Sequence, residues 1–440
     1  MRVRILLFAV SVTVLGCRFT PPPTSVCEKS LVFENTAPRV ESQHQKLAHW
    51  TQRLGSQADT VLLNARDIEK LNQKNQESPG GFQDIFGIKI GNQERVSREL
   101  GERQEWLAER LKSGHFVEDK RGAFDRAFVQ IAKALQVDEF RVVHQETTLF
   151  CIPMISALFT RPIDRAFNRN RCSSLHPTEI VRVLRASKSG WLYVHSGHSV
   201  GWLRPDKLTP PLAVADVRKY RDHPQRLIVL EDTVLGGNGV TFRMGSSVPL
   251  LARTATGFRV QLPQASGFQE IDIQDGSNVQ AGFLALTRRN LFRVLFSVLN
   301  QPYGWGGKDG GRDCSRLVLD VFSTFGLQLG RHSTVQSRSG MRSVDLTGKS
   351  PQQKLAAIRS ASRAGVVLLY MRGHIMVYLN ESNGRPYAIS SISEYMRPCG
   401  KKQEQVVRLD RVAVTDLALG KETTRKSFLN RLVRLAVFGQ

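Results

Sequence analysis

Cys314 stands where a cysteine can act as a nucleophile. The stretch Gln301-Pro302-Tyr303-Gly304-Trp305-Gly306-Gly307-Lys308-Asp309-Gly310-Gly311-Arg312-Asp313-Cys314-Ser315 runs a glycine-dense loop into it. Leu317, Val318, Val321 and Phe325 then recur at helical spacing, and Gly326 takes the place of a C-terminal cap. Cys314 therefore falls in the first helical turn. There the helix dipole and free backbone N–H groups favour thiolate over thiol. The same N–H groups can hold an oxyanion, as acyl transfer needs. The competing reading is a packed cysteine in an apolar helix. Asp-Cys-Ser after a glycine loop suits burial poorly.

A nucleophilic cysteine needs a base within hydrogen-bond reach. Val366 to Met371 reads as a buried strand and His374 to Leu379 as a second one. His374 opens the second strand directly after Gly373, which puts it at a sheet edge facing a cleft.

These residues resemble the NlpC/P60 cysteine peptidases of bacterial cell walls. The family pattern Tyr-x-Trp-Gly-Gly, Asp-Cys-Ser-Gly, Arg-x-Ser-x-x-Gln and Gly-His-x-x-x-Tyr-Leu stands here in the same order. Its positions are Tyr303, Trp305, Gly306 and Gly307, then Asp313, Cys314 and Ser315, then Arg331, Ser333 and Gln336, then Gly373, His374, Tyr378 and Leu379. The chain departs from the pattern twice. Arg316 replaces the glycine after Asp-Cys-Ser, which is expected to put a bulky cation beside the site. The family's third catalytic residue is usually a second histidine. Alignment through Pro386-Tyr387-Ala388-Ile389 puts Ser390 there. A hydroxyl can orient an imidazole, though it stabilises imidazolium less than a carboxylate does. A shift of hairpin register would bring Ser391 or Ser393 to the histidine instead.

The resemblance implies a substrate, the peptidoglycan stem peptide, cut between the γ-carboxyl of D-glutamate and the diamino acid. It implies Cys314 as nucleophile, His374 as base and Ser390 as third member. Asp313 would hold the free amine of the stem's first residue, with Tyr303 and Ser315 lining the cleft.

The elements that must position these groups begin with an export signal. Arg2 and Arg4 precede an apolar run from Ile5 to Val14, too short to span a membrane. Val14-Leu15-Gly16-Cys17 resembles a lipoprotein box with Cys17 acylated, against the simpler reading of an ordinary signal peptide. Arg18 after the cysteine favours outer-membrane sorting, by resemblance to Gram-negative lipoproteins. Phe19 to Ser25, with three consecutive prolines, reads as an extended tether.

Residues 27–145 are helical in pattern. Phe124, Phe128, Ile131 and Leu135 form one stripe; Leu100, Leu107 and Leu111 form another, stopped by Gly114. This segment resembles the stabilising clip of a larger NlpC/P60 architecture. Short strands separated by turns follow, at 180–184, 191–194 and 200–203, then at 227–230, 248–252, 258–262 and 267–273. They suggest small barrels and resemble two bacterial SH3 modules, 146–210 and 211–283. By the same resemblance Phe167 to Leu175 flanks the cleft, with Asn168 where an acid often stands. Residues 284–440 form the catalytic domain with an extension. Within it Thr424 to Phe438 mixes Arg425, Lys426, Arg431 and Arg434 with Phe428, Leu432 and Leu435. This stretch reads as a basic helix, packed on the catalytic domain or lying on a membrane.

The charge balance is strongly basic, 62 cationic against 39 acidic side chains, net +23. In an exported protein this points to anionic lipid and peptidoglycan carboxylates rather than nucleic acid. Cys27, Cys151, Cys172 and Cys399 are free to pair in any of three ways in an oxidising compartment. No spacing resembles a metal site, and no cofactor is expected.

The reading is a multidomain α+β protein: a helical N-terminal segment, two SH3-like β-barrels and a papain-like peptidase domain. It would be a periplasmic, lipid-anchored monomer that hydrolyses stem peptides. The rival is a catalytically degenerate relative that binds the wall through its SH3-like modules.

Overall fold

The computed structural model describes residues 32–88, 93–237, 239–400 and 403–439. The expected signal peptide 1–17, the Cys17 anchor, the proline tether and Cys27 lie outside them.

The half of the chain that carries Cys314 and His374 is built on one seven-stranded sheet. From edge to edge its strands are Val32–Phe33, Glu404–Asp416, Arg385–Pro398, His374–Ser382, Val366–Met371, Leu432–Phe438 and Arg342–Asp345. All neighbours are antiparallel except Val32–Phe33, which runs parallel to Glu404–Asp416. Central strands such as Val366–Met371 are buried along their whole length, as their unbroken apolar run requires. The helix Cys314–Ser323 packs on one face through Leu317, Val318, Val321 and Phe322, against Ile375, Val377 and Leu379. The helix Pro351–Ala364 covers the other face with Ile358 and Ala361. Each of these buried Leu, Val, Ile and Phe side chains contributes about 1.5–3 kcal/mol.

Residues 424–438 depart from the expected helix. Only Phe428–Arg431 is helical, and Leu432–Phe438 is a strand between Val366–Met371 and Arg342–Asp345. The run Leu-Val-Arg-Leu-Ala-Val-Phe fits a central strand, and tertiary pairing overrides the helical spacing.

A six-stranded sheet joins Leu135–Val142, Ile180–Ala186, Leu192–Ser196, Val200–Leu203, Thr147–Phe150 and Arg171–Leu175, in that spatial order. Leu135 thus opens a strand and does not extend the helix Ala123–Ala132. The sheet also begins upstream of residue 146. A five-stranded sheet joins Gly267–Gln274, Gly257–Gln264, Ser247–Arg253, Arg226–Val229 and Val279–Ala281. Both orders are open, not closed barrels. In the first, the edge strand Arg171–Leu175 is covered by the glycine loop that precedes Cys314. A Cβ on Gly307, at φ 79°, would meet Ser174 Oγ at 2.2 Å, so only glycine permits this approach.

The early helices Leu47–Leu54 and Ala65–Glu77 pack against the half that carries Cys314. Trp50 is fully buried among Leu63, Leu71, Leu286 and Leu291. Asn72 Nδ2 donates to Gly326 O at 2.8 Å, just past the cysteine helix. Cys151 pairs with Cys172, and Cys399 is also disulfide-bonded. No helix among the described residues is long and apolar enough to cross a membrane.

Candidate active site

Cys314 is the first residue of its helix, with Asp313 as N-cap. The cap is over-built. Asp313 Oδ1 accepts from Arg316 N at 2.9 Å, Ser315 Oγ at 3.1 Å and Arg331 Nη1 at 3.0 Å. Its Oδ2 accepts from Gly306 N at 3.2 Å and Arg331 Nη2 at 2.5 Å. Burial alone would raise the carboxyl, but Arg331 and these donors hold it below its ordinary range. Gln336 Nε2 donates to Ser315 O at 2.8 Å and to Gly330 O at 3.0 Å. The motif residues Arg331 and Gln336 therefore brace the start of the cysteine helix. A substrate amine reaching Asp313 must share a carboxylate that these donors already occupy. Ser315 is also turned inward, its hydroxyl accepting from Arg331 at 2.7 Å.

Cys314, His374, Tyr303, Asp313 and Ser315 line one cavity of about 2210 Å³. Ser390 stands behind His374, its hydroxyl 3.1 Å from Nε2. The other serines are committed elsewhere. Ser391 Oγ donates to Arg312 O at 2.5 Å, and Ser393 Oγ to Asp410 Oδ1 at 2.7 Å. Of the three candidate serines, the hairpin register delivers Ser390 to the imidazole.

The electrostatics oppose the thiolate expected from the helix start. Burial, then the Asp313 carboxylate, push the Cys314 thiol up to about 12. The backbone N–H groups of Ile375 and Ser315 favour the thiolate and offset part of this. Burial, then Arg431, lower His374 to about 4. In the free protein both groups are therefore neutral near pH 7. The dipole is outweighed because desolvation penalises charge on either partner.

Arg316 does not crowd the site. Its guanidinium points away into a buried network, donating to Asp320 Oδ1 at 2.7 Å, Glu179 Oε1 at 2.7 Å and Ser174 O at 3.0 Å. Arg312 runs parallel to it, to Asp320 Oδ2 at 2.7 Å and Asp232 Oδ2 at 3.0 Å. Burial would raise Glu179, but His198 and Arg316 hold it down at about 2. This network ties both small sheets to the cysteine helix. Its Arg316–Asp320 pair was visible in the sequence as an i, i+4 spacing; its long-range partners carried no local signal.

The opposite wall of the cavity comes from residues 151–172. Asn168 is structural: its Oδ1 accepts from Leu158 N at 3.1 Å and Asn170 N at 2.9 Å. Its backbone oxygen accepts from Trp305 Nε1 at 2.9 Å. Arg169 lies over the Trp305 ring, 4.4 Å from its centroid. Sequence reasoning missed Arg169, although its neighbours marked the loop. Among the described residues no cluster of three His, Cys, Asp or Glu could hold a metal ion.

Comparison with known proteins agrees with this geometry. Residues 300–396 match the NlpC/P60 family model and form an NlpC/P60 family domain. The whole fold is similar to a solved structure described as a novel NlpC/P60 endopeptidase from Photobacterium damselae subsp. piscicida. The TM-score is 0.71 at 13% identity, covering 93% of this chain and 99% of that one. An NlpC/P60 family protein from Bacillus cereus ATCC 10987 aligns at TM-score 0.47 and 16% identity, covering 68% of this chain and 100% of its own. No curated protein matches by sequence.

Proposed function

We propose that this chain is a cysteine endopeptidase acting on peptidoglycan stem peptides, at the bond between D-glutamate's γ-carboxyl and the diamino acid. The observation that carries this is the convergence of a capped cysteine helix start and a His374–Ser390 pair on one cleft, within a domain that matches the NlpC/P60 family. With Nε2 on Ser390, Nδ1 of His374 is the nitrogen left for the thiol proton. Cys314 Sγ attacks the amide carbonyl as that proton leaves, so no free thiolate has to persist in the buried site. Backbone N–H groups at the helix start receive the oxyanion. His374 then protonates the departing amine, and water cleaves the thioester.

In this reading the two small sheets act as SH3-like modules and residues 27–145 as a clip. Acylated Cys17 tethers a monomer on the periplasmic face of the outer membrane. Cys17→Ala should release the protein into a soluble periplasmic fraction or block its processing. Unchanged membrane fractionation would reject the anchor.

The deciding test of activity is purified protein on muropeptides, with products read by mass spectrometry. Cleavage that disappears in Cys314→Ala supports the reading. One observation favours a second reading: Ser390 offers no charge to stabilise imidazolium, and His374 is already hard to protonate. Absence of cleavage alongside tight binding to wall sacculi would make the chain a binding protein.

A further inference from the structure

Two arginines in the catalytic cavity are left without partners of their own. Arg169 and Arg171 both come from the wall closed by the Cys151–Cys172 disulfide, and both line the cavity with Cys314. The Nε of each is buried with no hydrogen-bond partner. Neither guanidinium is ion-paired to a carboxylate among the described residues. The acids nearest in electrostatic reach are committed elsewhere. Asp164 binds Arg408, and Glu146 takes Arg243 Nε at 2.8 Å. Asp309, the remaining one, carries an exposed carboxylate beside Lys308 at 3.9 Å.

The Arg169 guanidinium is held in place by rings rather than by anions. It sits 4.4 Å from the Trp305 centroid and 5.5 Å from that of Phe167. Trp305 is itself fixed through its Nε1 bond to Asn168 O. Arg169, Tyr303 and Cys314 line the same cavity. A planar cation stacked on an aromatic face keeps its edge free, and that edge matches a carboxylate in bidentate geometry. Desolvation lowers the pKa of both arginines, so a bound anion would relieve a strain already present.

We infer that Arg169 and Arg171 form a carboxylate subsite, so that the cleft selects a substrate carrying a free carboxylate beside the scissile amide. This deepens the proposed function and rests on it. A γ-glutamyl linkage leaves that residue's α-carboxylate free, which supplies the required anion. The wall where an acid might receive a substrate amine thus presents cations instead.

The test uses full-length Cys314→Ala protein in calorimetric titrations. The probes are the tripeptide L-alanyl-γ-D-glutamyl-diaminopimelate and its counterpart with the glutamyl α-carboxylate amidated. Charged bidentate bonds of this kind predict binding weaker by about 10–100-fold for the amide. Arg169→Gln should remove most of that preference, and Arg169→Lys should restore part of it. In protein with Cys314 intact, Arg169→Gln should raise KM and leave kcat near its starting value. Equal binding of both peptides, or a preference that survives Arg169→Gln and Arg171→Gln, overturns the subsite while leaving the peptidase reading intact. No binding of either peptide together with no cleavage by the wild type overturns both.

Discussion

Arg316 Nη2 lies 2.7 Å from the Glu179 carboxylate, joining the third residue of the cysteine helix to a strand-flanking loop 137 residues earlier. Arg316 is buried and Glu179 half-buried, and Asp320, Ser174 and His176 share the cation's coordination. The position that usually carries glycine in the family pattern is here the fastening of the cysteine helix to the six-stranded sheet.

Removing that fastening should be costly. Arg316→Ala leaves buried Asp320 and half-buried Glu179 with less compensation, which typically destabilises by about 3–5 kcal/mol. Equilibrium urea unfolding measures it. A loss under about 1 kcal/mol would show that the network relaxes or hydrates freely.

The His374–Ser390 pair separates base from orienter. A general base contributes about 10²–10⁴-fold, so His374→Ala should abolish measurable cleavage. Ser390→Ala should reduce it by a smaller factor, because serine positions the ring without offsetting its charge. Ser390→His should preserve or raise the rate. Wild-type cleavage indifferent to Ser390→Ala would remove Ser390 from the mechanism.

The pH dependence follows from the two shifted groups. His374 is lowered from 6.5 to about 4, so its contribution to stability is present above 6.5 and is lost as pH falls through 4. Cys314 is raised from 9.0 to about 12, so its contribution is present below 9.0 and lost as pH rises toward 12. Iodoacetamide should therefore label Cys314 of the folded protein more slowly at pH 7 than the unfolded chain, with the rate climbing through the alkaline range. Fast labelling at neutral pH would mean that a thiolate is present after all. Arg431→Gln should move the His374 titration to higher pH, followed by its imidazole NMR signals.

Phe438 tests the late strand. It is fully buried, and its ring lies 4.6 Å from that of Phe322 on the cysteine helix. Phe438→Ala should cost about 3–5 kcal/mol. A thermal melt unchanged from wild type would contradict the central position of this strand.

Much of the site was legible because its groups are close in sequence to strong local signals. Gly311 to Gly326 announces a loop, a helix and a stop, and Gly373 announces the strand that presents His374. Ser390 was reachable only through alignment of one hairpin, with Ser391 and Ser393 left open until the register was known. The strand Leu432–Phe438 was misread because an amphipathic run with arginines satisfies either period, and its partners lie elsewhere in the chain. The same limit hid Asp232, Glu179 and Arg169. Each matters through a neighbour far away in sequence, and no local pattern records that. The thiolate expectation failed for a different reason. Helix position is readable, whereas burial and an adjacent carboxylate depend on packing.

Leu432–Phe438 threads between Val366–Met371 and Arg342–Asp345, and Val32–Phe33 borders the opposite edge of the same sheet. Residues on both sides of the two small sheets in sequence must therefore meet before the nucleophile's platform exists. During synthesis the two small sheets can form as soon as they emerge, but Val366–Met371, the strand beside the one that bears His374, keeps an open flank until Phe438 has been made. The chain thus carries its own timer. A chain made or clipped short of Leu432 holds Cys314 and His374 on a sheet whose Val366–Met371 strand is unpaired on one side, so under the proposed function cleavage should rise only once the late strand has docked.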